Sequence, residues 1–266
     1  MLDHMSKTVK LSRSLSLSPD GATSFPVLHC GCIKGDNYGY FLQVDEKRVV
    51  AVDVPDGRVM LDILRQQGWT LELLLLTHTH HDHVLHLEDL LKKTGCDFWH
   101  PAGATLPVEG TGLRDGEERN VLGLRVQAME TSGHSPLDFS YVFPEVNVCF
   151  CGDTLFAWGC GRMFAGPASR FWSSLQRLRE LPDETLLCCG HDYREDNRTF
   201  ALQIFPNSSR WVPEAGEGEM PLHFGEQKRR NPFLSADDPQ IAEALGMKGQ
   251  DPVLVFKKLR ELRNQL

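Results

Sequence analysis

The residues best suited to chemistry lie between positions 77 and 83, where the chain reads Thr-His-Thr-His-His-Asp-His. This turn offers four imidazole or carboxylate side chains, those of His78, His80, Asp82 and His83. Such groups bind zinc, iron and manganese, and the turn directly follows the apolar run 71–76. A solvated polar turn would account for one or two histidines, but not for four metal-binding side chains at alternating positions. The pattern therefore predicts a metal site.

Three other His or Asp side chains follow predicted strands elsewhere in the chain, each directly after a glycine. They are His134, Asp153 and His191. The strands predicted before them cover residues 124–129, 146–151 and 185–189. In layered α/β folds the loops after such strands gather at one edge of the sheets, where active sites form. We therefore expect these residues to meet the turn at 77–83, although each of them alone would pass for an ordinary surface or capping residue.

The combined set predicts two metal ions held by seven side chains. The ligands are His78, His80 and His134 for the first ion and Asp82, His83 and His191 for the second, with Asp153 bridging the two. Two ions about 3.5–4 Å apart activate a hydroxide between them, because they lower the pKa of bound water to about 7. This hydroxide would be the nucleophile, with Asp82 and Asp153 as the catalytic residues beside it. The absence of a Gly-x-Ser-x-Gly elbow from the sequence fits that chemistry.

The remaining histidines are predicted not to bind metal. His81 and His86 adjoin the turn but are off its spacing. The others have no comparable neighbours in the sequence: His4, His29, His100 and His223.

The elements that must position these residues indicate an α/β protein with a helical C-terminal part. A short strand at 49–52 ends at Asp53, and apolar residues at helical spacing predict helices over 58–68 and 169–181. Further along, the predicted elements are helices over 193–205, 239–246 and 252–264, and a loop at 212–225. The predicted parts are an N-terminal extension (1–24), a catalytic domain (25–192) and a helical substrate-binding domain (193–266).

Composition places the chain among ordinary globular proteins. With 266 residues, 41% of them hydrophobic, it is able to bury a sizeable core. The net charge of -8 argues against nucleic-acid binding, and no apolar run approaches the roughly 20 residues that span a bilayer. Several of the eight cysteines lie in apolar strands rather than in a disulfide framework. This favours a reducing compartment and predicts a cytoplasmic location. We also expect a monomer.

The N-terminal residues 1–24 leave a second location open. Their Lys, Arg and Ser content resembles that of a transit peptide, which would direct the protein to mitochondria, whereas Asp3 and Asp20 argue against this. We expect a tail or a peripheral strand there.

Six short motifs accompany the predicted ligands. They are Asp36-Asn-Tyr-Gly-Tyr40, Ala51-Val-Asp53, Gly152-Asp-Thr-Leu-Phe156, Gly159-Cys-Gly161-Arg162, Cys189-Gly-His-Asp-Tyr193 and Asn231-Pro-Phe-Leu234. Together they resemble motifs of the metallo-β-lactamase superfamily and, within it, of the glyoxalase II (hydroxyacylglutathione hydrolase) family. The resemblance implies a four-layer αβ/βα sandwich with a small C-terminal α-helical domain and a site for two zinc, iron or manganese ions. It also implies hydrolysis of S-2-hydroxyacylglutathione, such as S-D-lactoylglutathione, to glutathione and D-lactate in methylglyoxal detoxification.

The resemblance further implies five substrate-binding residues, namely Arg162, Phe164, Tyr193, Arg260 and Arg263. Arg162 and Phe164 stand where the family has Lys and Tyr beside glutathione, and Tyr193 matches the family's tyrosine. Arg260 and Arg263 match a basic pair that binds the glycine carboxylate. Their spacing also puts two guanidinium groups on one helix face, which suits a carboxylate. Without the resemblance, two solvated arginines on a surface helix would explain the pair equally well.

The chain departs from the family pattern in two loops. Leu137-Asp138 replaces a Gly-His pair after His134, and Leu85-His86 replaces two glycines after the first motif. Two alternatives therefore stay open: a glutathione persulfide dioxygenase of the same fold with a single iron, and a noncatalytic member that binds metal without turnover. The Gly-Cys-Gly and Asn-Pro-Phe motifs favour thioester hydrolysis. The choice of metal, and the choice between glutathione and trypanothione, are open as well.

Overall fold

Two mixed β-sheets face each other and carry helices on their outer surfaces, which confirms the predicted α/β class and the four-layer sandwich. The computed structural model describes residues 11–18, 24–212 and 220–266. The first sheet follows chain order: β1 (Arg13–Ser16), β2 (Val27–Lys34), β3 (Asn37–Gln43), β4 (Arg48–Val52), β5 (Thr70–Leu75), β6 (Asp97–Pro101) and β7 (Thr111–Leu113). Strands β1 to β4 pair antiparallel, and β4 to β7 pair parallel. The first two parallel connections contain α1 (Gly57–Gln67) and α2 (Leu87–Thr94).

The second sheet has the strand order β15-β14-β11-β10-β9-β8, and β12 and β13 form a separate hairpin. In chain order these strands are β8 (Glu118–Val121), β9 (Leu124–Glu130), β10 (Phe139–Phe143), β11 (Val148–Gly152), β12 (Leu155–Phe156), β13 (Gly159–Cys160), β14 (Leu186–Cys189) and β15 (Leu222–His223). Strands β11 and β14 pair parallel, so their carboxyl ends lie at the same edge of the sheet.

Strand β4 packs against both neighbouring layers. Val49 and Ala51 pack with α1 and α2 on the outer face of the first sheet, whereas Val50 and Val52 join the core between the two sheets. Successive side chains of a strand point to opposite faces, so a strand buried on both faces is apolar throughout. The end of β4, and therefore Asp53, is fixed by packing on both sides.

The remaining helices are α3 (Ala168–Arg179), α4 (Arg194–Ile204), α5 (Phe224–Arg230), α6 (Pro239–Ala244) and α7 (Pro252–Arg263). The predicted helices are confirmed, with ends within two residues of those expected. Local signals set these ends. Asp56 caps α1 by accepting a hydrogen bond from the backbone of Arg58, and Gly68 ends the helix with φ 69°. Asp238 and Asp251 cap α6 and α7 in the same way.

Two local predictions need correction. The prediction of a loop over 212–225 is wrong for its last four residues. Leu222–His223 forms β15 against β14, and α5 begins at Phe224. Residues 213–219 of that loop lie outside the described residues. The strand expected from residue 146 begins at Val148, since Pro144–Val146 forms a 3-10 turn.

The N-terminal extension supplies an edge strand. Within residues 1–24, β1 pairs with β2 at the border of the first sheet, which confirms a peripheral strand, while 1–10 and 19–23 lie outside the described residues. The boundary at 192 stays a prediction, and β15 from beyond it joins the second sheet. All eight cysteines are free thiols. Across the described parts of the chain, no helix combines the length and the apolar character needed to cross a bilayer.

Candidate metal centre and adjoining cleft

The structure brings all seven predicted metal ligands to one edge of the two sheets. His78 comes just after β5, His134 after β9, Asp153 after β11 and His191 after β14. The turn with the other three ligands forms a short 3-10 helix, His81–His83, and then runs into α2. Loops from both sheets therefore meet where the sequence pattern predicted.

The first group of ligands consists of three imidazole nitrogens that point at one spot. His80 Nδ1 lies 2.8 Å from His134 Nε2 and 3.2 Å from His78 Nε2. The second nitrogen of His134 is engaged elsewhere, since its Nδ1 donates to the Arg162 carbonyl at 3.0 Å. Burial lowers the pKa of all three histidines, that of His134 to about 4. Near pH 7 the three are neutral, and a cation would stabilise their facing lone pairs.

Asp153 lies between this group and the second one. Its Oδ2 is 3.5 Å from His134 Nε2 and 3.3 Å from His191 Nε2, and its Oδ1 is 3.4 Å from His83 Nε2. Asp82 Oδ2 completes the second group at 3.2 Å from His191 Nε2. Two buried atoms, His83 Nε2 and Asp153 Oδ1, have no hydrogen-bond partner among the described residues. Leaving such atoms unpaired is costly unless an ion binds them, so this donor set fits two metal ions that share Asp153.

The charges of the second group indicate what a metal ion would displace. Burial alone would lower the pKa of His191, but hydrogen bonds to Asp153 and Asp82 outweigh it and raise that pKa to about 10. The pKa of His83 is raised well above its usual value, again against burial, by the charges of Asp153 and Asp53. In the metal-free protein, protons on two histidines thus balance the buried carboxylates. Metal binding would displace these protons.

Asp53 is a functional residue that the sequence analysis left out of the ligand set. Its Oδ1 accepts a hydrogen bond from the backbone of Thr77 at 2.7 Å, and its Oδ2 accepts from the Thr77 hydroxyl at 2.8 Å and from His83 Nδ1 at 2.9 Å. A carboxylate oxygen of Asp53 also lies within 4.8 Å of a ring nitrogen of His78 and of His83, close enough for the three to share an ion. Because both of its oxygens are already bound, it orients His83 instead. Its position at the end of β4 was the available signal.

Asp36 and Asn37, the first two residues of the first motif, also orient candidate ligands. Asp36 lies between β2 and β3, and Asn37 begins β3. Asp36 Oδ1 lies 3.2 Å from His191 Nδ1, and Asn37 Nδ2 donates to Asp82 Oδ2 at 3.1 Å. A partner on Nδ1 leaves Nε2 of His191 facing the other ligands. The motif was recognised in the sequence, but these roles were not assigned to it.

Two glycines let the backbone approach the ligands closely. A Cβ atom on Gly161 would overlap the Asp153 carbonyl oxygen and lie 2.9 Å from His134 Nδ1. A Cβ atom on Gly190 would overlap Asp153 Oδ1 and lie 2.8 Å from His83 Cε1. Glycine is therefore required in two of the motifs for steric reasons.

The histidines predicted not to bind metal lie outside the two groups. His81 is exposed, and His86 Nδ1 lies 3.0 Å from Asp56 Oδ1. Three others are hydrogen-bonded to neighbours of their own: His29, His100 and His223. His4 lies outside the described residues.

A cleft of about 690 Å³ opens directly beside the two ligand groups. The five residues predicted to bind substrate all line it, namely Arg162, Phe164, Tyr193, Arg260 and Arg263. Tyr193 stacks on His191, with ring centroids 4.9 Å apart and planes at 6°. Phe164 is 61% exposed, and its ring centroid lies 5.4 Å from that of His134. The cleft thus has aromatic rings against ligands of both groups.

Comparison with known proteins identifies the family. A family model described as metallo-beta-lactamase superfamily matches residues 40–191, and one described as hydroxyacylglutathione hydrolase C-terminus matches residues 192–266. A hydroxyacylglutathione hydrolase from Rhodopseudomonas palustris (strain BisB18) is 37% identical over 246 residues, which cover 88% of this chain and 96% of that relative. The chain belongs to the hydroxyacylglutathione hydrolase family of the metallo-β-lactamase superfamily. The predicted family is confirmed.

Solved structures share the fold of this chain. The crystal structure of ETHE1 from Myxococcus xanthus has a TM-score of 0.63 and 26% identity, and the match covers 85% of both chains. The crystal structure of TTHA1623 in a di-iron-bound form has a TM-score of 0.56 and 25% identity, and covers 79% of this chain and 99% of that one. Together with the two ligand groups, the fold indicates a dinuclear metal site.

The two arginines on α7 differ in their surroundings. Arg260 is only 5% exposed and donates from Nη1 to the Cys160 carbonyl at 2.7 Å. Arg263 donates from Nε to Asn197 Oδ1 at 3.1 Å and lies 3.7 Å from an oxygen of Asp196. Arg260 is therefore not a solvated arginine on a surface helix, which was the alternative interpretation of this pair.

Both loops that depart from the hydroxyacylglutathione hydrolase pattern have internal support. Asp138 Oδ2 accepts hydrogen bonds from the backbones of Gly133 at 3.0 Å and Ser135 at 2.7 Å, on either side of His134. Burial raises the pKa of Asp138 to about 6. In the other loop His86 adopts φ 61°, a left-handed conformation that glycine adopts most easily. The backbone of the neighbouring Leu85 donates to the Val54 carbonyl at 3.0 Å and accepts from the Gly57 N–H at 2.8 Å. Hydrogen bonds to other residues therefore hold the backbone of both loops.

Proposed function

We propose that the protein is a metal-dependent thioester hydrolase that converts S-2-hydroxyacylglutathione, in particular S-D-lactoylglutathione, to glutathione and a 2-hydroxy acid. D-Lactate would be the acid, and methylglyoxal detoxification the role. The observation that carries the proposal is the position of Asp153 between two ligand groups in the cleft that all five substrate-binding candidates line. Relatives named hydroxyacylglutathione hydrolase, about 37% identical over nearly their whole length, support it.

The metal ligands are assigned as the sequence predicted. The first ion would be held by His78, His80 and His134, the second by Asp82, His83 and His191, with Asp153 shared. When bound, such ions supply an activated water and polarise a carbonyl group. The relative TTHA1623, described in a di-iron-bound form, supports a pair of ions of this kind, and zinc, iron and manganese all suit the donor set.

The chain's own residues would orient the substrate. Arg260 and Arg263 would bind the glycine carboxylate of the thiol peptide, and Arg162 would hold its backbone. Tyr193 and Phe164 would place the thioester between them, next to the ligand groups. Asp82 and Asp153, the carboxylates of the candidate metal centre, would accept hydrogen bonds from the attacking water and orient it. A thiolate is a good leaving group, so the site needs no strong general acid.

The helical region 193–266 would form the substrate-binding domain, with residues 25–192 as the catalytic domain. The placement of both α7 arginines in the cleft supports this division. Eight free thiols fit a reducing compartment, and we place the protein in the cytoplasm, as a monomer.

The test is steady-state hydrolysis of S-D-lactoylglutathione by metal-loaded and chelator-treated protein. We expect turnover that is lost with the chelator and restored by zinc, iron or manganese. Absence of turnover in protein that carries two ions per chain would refute the proposal and indicate a noncatalytic member. Oxygen consumption with glutathione persulfide, in place of thioester turnover, would instead identify a persulfide dioxygenase.

A further inference from the structure

The hairpin of β12 and β13 is held from outside by side chains of the C-terminal helical region. Asn197 Nδ2 donates to the Ala157 carbonyl at 2.9 Å. Asn231 Nδ2 donates to the carbonyls of Phe156 at 3.2 Å and Gly159 at 3.0 Å. The hairpin backbone therefore has side-chain partners that lie 40 or more residues away in the chain.

Arg260 makes the last of these contacts, at the end of the hairpin nearest the ligands. Its Nη1 lies 2.7 Å from the carbonyl oxygen of Cys160 and 3.5 Å from that of Gly161. Its Nε donates to Asn264 Oδ1 at 3.2 Å. Its Nη2 has no hydrogen-bond partner among the described residues. The residue is only 5% exposed, and it both contacts the hairpin and lines the cleft.

The next carbonyl along the chain binds a metal ligand. The carbonyl oxygen of Arg162 accepts the hydrogen bond from His134 Nδ1 at 3.0 Å, and the backbone N–H of Phe164 donates to the His134 carbonyl at 3.1 Å. Gly161 packs so closely against this imidazole that a Cβ atom would lie 2.9 Å from Nδ1. The orientation of His134 is therefore set by the backbone of residues 161–164.

We propose that Arg260 is a positioning residue for the metal ligand His134. By holding the carbonyls of Cys160 and Gly161, its guanidinium group fixes the path of the following peptide and aims the Arg162 carbonyl at His134 Nδ1. The imidazole is then held with its proton on Nδ1 and its Nε2 lone pair towards His78 and His80.

The expected size of the effect follows from the strength of these contacts. Hydrogen bonds from a charged, buried donor are stronger than neutral ones. Partners that orient a ligating histidine typically contribute about 10–100-fold to metal affinity. This role goes beyond the binding of a substrate carboxylate, and it holds whichever thioester the enzyme cleaves.

The test compares Arg260→Lys with Arg263→Lys in the full chain. Both variants keep a positive charge in the cleft. Arg260→Lys removes the Nη1 that donates to the hairpin carbonyls and the Nε that ties the guanidinium group to Asn264, whereas Arg263 makes no hydrogen bond to the hairpin. Zinc affinity is measured by competition between the metal-free protein and a chromogenic chelator. We expect about a 10-fold or larger loss at one of two zinc sites in Arg260→Lys, and less than about a 2-fold change in Arg263→Lys.

A second readout follows the imidazole itself. In metal-free wild type, ¹⁵N NMR should find His134 protonated at Nδ1, and in Arg260→Lys a mixture of both tautomers. Equal zinc affinity in the two lysine variants, or an unchanged tautomer in Arg260→Lys, would overturn the proposal. If Arg260→Lys does not fold, Arg260→Met, of similar length and without charge, replaces it with the same expected losses. Thioester turnover is measured separately, so failure of the proposed function would be distinguishable from failure of this inference.

Discussion

Asp53 Oδ2 lies 2.9 Å from His83 Nδ1, and both side chains are almost fully buried. This pairing commits Nδ1 of the histidine to the carboxylate and leaves Nε2 facing Asp153 at 3.4 Å. The contact joins the end of β4 to the histidine-rich turn after β5. The packing of the first sheet therefore fixes the orientation of His83.

Replacing Asp53 with asparagine should weaken metal binding at the second ligand group. An amide accepts a weaker hydrogen bond from His83 Nδ1, so we expect about a 10–100-fold loss of affinity there. The measurement is metal content after equilibrium dialysis against a series of free zinc concentrations. Asp56→Asn is the matched control, because Asp56 caps α1 and contacts His86 outside both groups. Equal zinc retention in the two variants would contradict the orienting role.

Metal uptake should release protons. The pKa of His191 is about 10 in the metal-free protein, and that of His83 is also raised, so both carry protons at pH 7.5. Since a metal ion takes the place of these protons, we expect release of about two protons for the second group and weaker metal binding as the pH falls. An indicator dye in weakly buffered solution reports the release when zinc is added. No release at pH 7.5 would show that these histidines are neutral before metal binds.

The same groups give the metal-free protein a defined pH dependence. The folded-state pKa of His191 is raised, so its stabilising contribution is complete below the unfolded value of about 6.5 and is lost as the pH rises towards 10. The pKa of His134 is lowered to about 4, so the unfolded state takes up a proton before the folded state does. The free energy of unfolding therefore decreases as the pH falls from about 6.5 towards 4. Urea unfolding of metal-free protein at pH 5, 7 and 9 measures both trends. In His191→Gln the decline from pH 7 to 9 should be smaller than in wild type.

Replacing Asp138 with alanine should destabilise the His134 loop. The change removes the acceptor for the backbone N–H groups of Gly133 and Ser135. Gly133 keeps its hydrogen bond to the Ser135 carbonyl at 3.2 Å, whereas the Ser135 N–H loses its acceptor, and an unpaired buried group costs about 1–3 kcal/mol. We expect a loss of about 2–4 kcal/mol in unfolding free energy, measured by urea denaturation. Asp138→Asn keeps one oxygen and should lose less.

The raised pKa of Asp138 supplies a second check on this loop. With a folded-state value of about 6, its protonated form favours the native state, so wild type should gain stability relative to Asp138→Asn as the pH falls from 7 to 4. A stability difference that does not vary with pH would show that the carboxyl is not buried as described.

Substituting Phe164 with tyrosine should strengthen substrate binding. The ring is 61% exposed at the cleft and lacks the hydroxyl of a tyrosine, the residue that the family resemblance implies at this position. One added hydrogen bond contributes about 0.5–1.5 kcal/mol, so KM for S-D-lactoylglutathione should fall by about 2–10-fold with little change in kcat. Phe164→Leu is the control for loss of the ring alone. A change confined to kcat would place the hydroxyl at the reacting bond instead.

Local signals predicted the helices well because they act within a few residues. The Asp56 cap and Gly68 set α1, and Asp-Pro pairs set α6 and α7. The loop expected at 212–225 failed for the opposite reason. Leu222 is in a strand because it pairs with Leu187 of β14, and no residue near it in the sequence signals that pairing.

The candidate ligands were predictable because the sequence shows both their side-chain chemistry and their positions after strands. Imidazole and carboxylate groups after strands that end in glycine lie at a sheet edge in any layered α/β fold. The orienting residues were harder to assign. Asp36 contacts His191, which is 155 residues away, and its motif, although recognised in the sequence, does not show which distant side chain it contacts.

The sequence by itself determined the strands that precede the candidate ligands, the ends of the predicted helices and the set of side chains able to hold metal, because propensity, capping and donor chemistry are properties of short segments. The tertiary structure alone decided which nitrogen of each histidine faces the other candidate ligands and which groups contact the other nitrogen. It also placed Arg260 against the hairpin beside His134 rather than in solvent. Such contacts depend on distances between residues far apart in the chain, and only the packing of both sheets and α7 sets those distances.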